Sequence, residues 1–138
     1  MIEFHNEDNL NVPQFDAEHF VLWVNSIVEA HNKEVGDLQY YFMTDDDLLK
    51  LNIELLDHDF YTDIITVDAC IDDLVMGEAY ISIDRVMENA KNNEVVTELE
   101  LARVIIHGCL HLLGYNDKSE SEQELMTKKE NWALSLLS

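Results

Sequence analysis

The order of apolar patterns along the chain predicts an α+β fold, a small mixed sheet of four strands packed with about five helices. One observation carries the fold class, and two more bound the domain. Strand-like runs and amphipathic stretches do not alternate strictly, which disfavours a doubly wound parallel sheet. A hydrophobic content of 47% can fill a packed interior, while 138 residues leave no room for a second core, so residues 1–138 are expected to form one domain. Only four glycines and one proline argue against long flexible linkers.

The elements follow in order. Ile2, Glu3, Phe4 and His5 read as a short first strand, and 6–13 as a polar turn ending in Pro13. Residues 15–31 read as a helix, because Phe20, Val24, Ile27, Val28 and His31 fall on one face with Trp23 beside them. Gly36-Asp37 predicts a break, and the aromatic-rich run 38–43 a strand. Thr44 with Asp47 three residues on marks a helix start that Leu48, Leu51 and Leu55 continue. Residues 57–63 are polar and loop-like. The β-branched run 64–67 predicts a buried strand, and Gly77 is read as opening the next one, over 78–83. Asp84 starts a short helix reaching about Lys91. Thr97 with Glu100 matches a capping box, so 98–113 is expected to be helical. Ser119 with Glu122 repeats the signal, and Leu125, Met126, Trp132, Ala133, Leu136 and Leu137 are assigned to the buried face of the final helix.

Charge narrows the function. The formal net charge of −21 alone argues against a polyanionic partner, but it is unevenly spread. Residues 1–84 carry two Lys/Arg against twenty Asp/Glu, whereas 85–138 carry six against nine. The excess reads as a solvated, solubilising surface. Cys70 and Cys109 are too few and too far apart for a disulfide framework or a thiolate zinc site, and are read as reduced, buried small hydrophobes. No apolar run reaches the roughly 18 residues of a membrane span, and the start of the chain lacks the basic residues of a signal peptide. A cytoplasmic protein with no membrane partner is expected.

The chemistry concentrates in 107–117. His107 and His111 lie four residues apart, so both imidazoles project from one helical face. Gly114 offers a left-handed position that ends the helix and turns the chain, letting Asp117 swing back as a third ligand. Val104, Ile105, Leu110 and Leu112 give the same helix a core face, and two imidazoles on one stripe of a packed helix need satisfying. Two nitrogens, one oxygen and an open position describe a catalytic zinc site. The remaining histidines, His5, His19, His31 and His58, are read as ordinary hydrogen-bonding or exposed residues. The spacing H-x-x-x-H-x-x-G-x-x-D resembles that of the metzincin proteases. Those carry a glutamate directly after the first histidine as general base, where this chain has Gly108, and a histidine as third ligand, where it has Asp117. Peptide hydrolysis is therefore the weaker enzyme reading.

The fuller resemblance is to the YbeY family of metal-dependent endoribonucleases and ribosomal RNA maturation factors. His-Gly-x-Leu-His-Leu-x-Gly-Tyr, running from His107 to Tyr115, is similar to that family's metal motif. Leu51-Asn52, then Asp59 and Thr62-Asp63-Ile64-Ile65-Thr66, resembles its strand-entry segment. Gly77-Glu78-Ala79-Tyr80-Ile81-Ser82 resembles its Gly-Asp-Ile-x-Ile-Ser strand, and Arg103-Val104-Ile105-Ile106 precedes the ligands as expected. Two positions depart. Asp117 stands where the family commonly has a third histidine, and Leu56 where it tends to carry an arginine.

The resemblance implies one Zn²⁺ per chain, held by His107, His111 and Asp117 on a metzincin-like metal helix, with water in the fourth position. It implies a single-strand-specific endoribonuclease of ribosomal RNA maturation and ribosome quality control. Ribosomal RNA would be the partner, presented by the ribosome or a basic ribosomal protein, and DNA would not. A carboxylate in place of the third histidine makes the ion a poorer Lewis acid, and Lys118 beside it offsets some of the charge. Arg103, one turn before His107, is a candidate phosphate contact and equally a candidate ion-pair partner. Arg85, Lys91 and Lys118 are further candidates, and Thr66 and Ser82 candidate cleft residues. Two other readings stay open: a ribosome-associated binding module whose metal is structural, and a metallohydrolase of another substrate class. A fourth protein ligand, such as His58 or a cysteine, would favour the first, and a deep apolar pocket beside the metal the second.

Overall fold

Alternating apolar residues build the sheet that everything else packs on. Strands β1 (Ile2–His5), β2 (Glu34–Met43), β3 (Ile64–Asp68) and β4 (Leu74–Ser82) form one four-stranded sheet in the order β1-β2-β4-β3. The β1/β2 and β2/β4 pairs are parallel and β3/β4 is antiparallel. The computed structural model describes residues 1–137. Leu38, Tyr40 and Phe42 of β2 and Ala79 and Ile81 of β4 point to one face and are buried. Helices α1 (Ala17–Ala30) and α4 (Thr97–Leu112) cover that face. The Tyr40 hydroxyl reaches the Ile105 carbonyl of α4 at 3.2 Å. Helices α2 (Asp45–Leu56) and α3 (Ile83–Asn92) flank the strand ends, and α5 (Glu120–Ser135) lies on α4. The Trp23 indole of α1 donates to the Ala133 carbonyl of α5 at 2.8 Å, tying the outer helix to the core.

Capping sets several boundaries as read from sequence. Thr44 accepts from the Asp47 N–H at the start of α2, and Ser119 with Glu122 forms a complete capping box on α5. The third expected cap is absent. Val96 occupies the N-cap of α4 without a side-chain bond, and Glu100 is instead buried, accepting from Asn93 Nδ2 at 3.4 Å.

Three strand readings are corrected by sheet pairing. Gly36-Asp37 does not break the chain: β2 runs through it, with a register shift between Val35 and Leu38 against β4. The 64–67 run is an edge strand in which only Ile65 is buried and Val67 is exposed. Gly77 lies inside β4 rather than at its start. Its φ of +149°, with Val67 O where a Cβ would stand, explains the glycine. Gly77→Ala is expected to cost on the order of 3 kcal/mol, read as a lower denaturation midpoint at unchanged slope. The buried face of α5 also differs. Met126, Glu130 and Ala133 are buried, whereas Leu125, Trp132 and Leu136 stay substantially exposed. Of the cysteines, Cys109 is fully buried and Cys70 only partly, and both are free.

Candidate metal centre

Helix α4 brings the histidines together by its own geometry, one turn apart on one face. Leu113 closes the helix and Gly114, at φ +105°, reverses the chain. The turn carries Asp117 back over the histidines. His107 Nε2 and His111 Nε2 are 3.0 Å apart, and Asp117 Oδ2 is 3.3 Å from each. The ligand atoms of these three residues all lie within 4.8 Å of one another.

The other ring nitrogens decide what this cluster can hold. His107 Nδ1 donates to Glu130 Oε2 at 2.6 Å, and His111 Nδ1 donates to the Tyr115 carbonyl at 3.0 Å. Both partners can only accept, so each neutral imidazole carries its proton on Nδ1 and presents a lone pair at Nε2. Two lone pairs and a carboxylate oxygen therefore converge on one point, a repulsive arrangement that a cation or a proton relieves. A tetrahedral ion with ligands at about 2.1 Å has ligand–ligand edges of about 3.4 Å, close to the 3.0–3.3 Å found. The group could thus bind a metal, and its donor set fits one. Among the described residues no fourth His, Cys, Asp or Glu joins it, so neither His58 nor a cysteine closes the coordination sphere.

Behind His107 stands a relay from α5. Glu130 accepts from His107 through one oxygen and from Arg103 Nη1 through the other at 2.7 Å, while Arg103 Nη2 donates to Asn131 Oδ1 at 2.8 Å. Burial alone would raise the Glu130 carboxyl, but hydrogen bonds and charge from His107 and Arg103 hold it below its usual range. Burial alone would lower His107, yet the Glu130 bond and the charges of Glu130, Asp63 and Asp117 raise it above its ordinary value. Sequence reading missed Glu130 and Asn131. The available signal was a charged residue four positions after Met126 and three before Ala133, squarely on the buried stripe of α5. Arg103, expected to face a phosphate or an ion pair, is placed in this ion pair, outside the residues lining the cleft.

The triad lies in a cleft of about 420 Å³ between α4, the 57–63 loop and the edge strand β3. Asn52, Leu56, His58, Phe60, Asp63, Thr66 and Lys118 line it with the three candidate ligands. Lys118 is the one Lys or Arg in that lining. Thr66 is there as expected, but Ser82 is not: it is buried, caps α3 and donates to Asp45 Oδ1. Arg85 is likewise engaged, 3.1 Å from Asp45.

Three donors with an open side are the arrangement of a catalytic metal site, and metal-dependent hydrolases are one class of enzyme built on it. Comparison with known proteins narrows it. A family model described as Endoribonuclease YbeY matches residues 2–138. A protein of Phocaeicola vulgatus named Endoribonuclease YbeY is 42% identical over 138 residues, spanning 100% of this chain and 99% of its own length. The protein of the same name from Bacteroides thetaiotaomicron is 37% identical, covering 96% of each chain. The solution structure of TM1509 from Thermotoga maritima shares 25% identity and superposes with a TM-score of 0.67 over 99% of this chain and 89% of that one. The chain belongs to the YbeY family.

Proposed function

We propose that residues 1–138 act as one metal-dependent hydrolase domain, an endoribonuclease of ribosomal RNA maturation and quality control that cuts single-stranded RNA with one Zn²⁺ held by His107, His111 and Asp117. The carrying observation is the convergence of three lone-pair donors on a cleft with no fourth protein ligand among the described residues. That open side favours a catalytic over a structural metal. The names of the relatives supply the substrate class.

When bound, the ion lowers the pKa of a water and polarises a phosphoryl oxygen. The chain's own residues do the rest. Glu130 and the Tyr115 carbonyl fix the two imidazoles in the ligating tautomer and orientation. Arg103 serves as a positioning residue through Glu130. Lys118, exposed at the cleft, supplies the cation that meets a phosphate, a task Leu56 cannot perform. Among the described residues no helix is long and apolar enough to cross a membrane, and a cytoplasmic setting fits a ribosomal substrate.

The direct test pairs metal analysis of purified protein with cleavage of single-stranded and duplex RNA by wild type and His107→Ala. Zinc at one per chain and cleavage confined to single strands and to wild type are expected. Cleavage by metal-free protein would overturn the reading. The acidic surface sets a second expectation. Free RNA binds weakly with a shallow salt dependence, and Lys118→Ala weakens it further and reduces the salt slope by about one. Fluorescence anisotropy at several salt concentrations measures both; an unchanged slope would remove Lys118 from the interface.

A further inference from the structure

Phe60 spends its ring in an unusual way. It is 55% exposed in the cleft lining, stacked on the His58 imidazole at 5.1 Å and 21°. An exposed phenylalanine on a loop is ordinarily loosely held, but this loop is fixed from below. Asn52, 1% exposed, donates from Nδ2 to the Phe60 carbonyl at 2.9 Å, and its main-chain carbonyl accepts from the His58 N–H at 3.3 Å. Asp57 takes the left-handed conformation that starts the turn. Beyond Phe60, the Tyr61 hydroxyl bonds Asp46 Oδ1 at 3.0 Å, and the Asp63 carbonyl accepts from the Ser82 N–H at 2.9 Å. A buried amide and two further anchors thus hold an apolar ring out toward the space beside the three candidate ligands. Holding it there in advance lowers the ordering cost of binding something flat.

Charge says what that something is. The cleft has a single Lys and no Arg, so phosphate contacts alone give a nucleic acid little grip. Stacking a base on an aromatic ring supplies affinity that salt does not screen and that tolerates any sequence. A base inside a duplex has both faces covered, so only an unpaired strand can use such a ring. We propose that Phe60, backed by His58, is the nucleobase platform of this site, taking an unpaired base of the RNA strand beside the phosphate to be cut. The proposal rests on the endoribonuclease reading and adds the residues that select unpaired RNA.

The probe is a short single-stranded RNA carrying the fluorescent base 2-aminopurine, used with metal-loaded wild type, Phe60→Ala and Phe60→Tyr proteins. Wild type and Phe60→Tyr should quench the fluorescence on binding. Phe60→Ala should bind about five- to a hundred-fold more weakly, raising KM with kcat, metal content and melting temperature retained. Unchanged affinity and KM in Phe60→Ala, or binding by wild type without quenching, would overturn the platform while cleavage by wild type left the endoribonuclease reading intact. Quenched binding without any cleavage would do the reverse.

Discussion

Replacing His111 by alanine is expected to remove stoichiometric metal and RNA cleavage together. Its Nε2 is one of three candidate donors, and the two left would hold an ion far more weakly against water. The fold should survive, because the His111 side chain is partly exposed and its only protein hydrogen bond through Nδ1 is to the Tyr115 carbonyl of the turn. Treating wild type with a chelator should reproduce the loss, and zinc should restore activity to wild type but not to His111→Ala. Mass spectrometry for the metal and a gel assay for cleavage read the two effects. Full activity from metal-free His111→Ala protein would sink the mechanism.

The second large effect is expected at Glu130. Glu130→Ala leaves the Arg103 guanidinium without its carboxylate and His107 Nδ1 without the acceptor that fixes its tautomer. Outer partners of this kind are worth about 10- to 100-fold in metal affinity, and competition with a chromophoric chelator should show a drop of that order. Arg103→Ala should lower metal affinity less, and in a Glu130→Ala background it should lower it hardly at all, because the two residues act as one unit. That cycle separates the two roles open to Arg103. A guanidinium touching phosphate would still raise KM for RNA when removed from the Glu130→Ala protein. A positioning residue would not.

What could be read from the chain beforehand follows the range of the interactions. The triad was legible because its geometry is local: one helical turn between His107 and His111, and a glycine reversal before Asp117. The same locality made the Thr44 and Ser119 caps readable. Glu130 was not, since its partners His107 and Arg103 lie across a helix–helix interface more than twenty residues away. The edge position of β3 follows from strand order, which no period in the sequence encodes. At Gly36-Asp37, pairing with β4 overrides the local turn propensity and leaves a bulge. At Glu100 the capping signal is genuine as a pattern, but burial against Asn93 turns the carboxylate inward.

Gly108 occupies the place where metzincins keep their general base, and it is pressed against the sheet. A Cβ there would stand 2.7 Å from Ile64 Cδ1 and 3.4 Å from Thr66 Cγ2, both on the cleft wall. Ile64 Cδ1 is the free end of a side chain and can turn aside, and the Thr66 distance is an ordinary contact, so a Cβ at Gly108 calls for a local shift of Ile64. Where a protease of that spacing has a carboxylate beside its first histidine, this chain has close contact between α4 and the side chains of the edge strand β3.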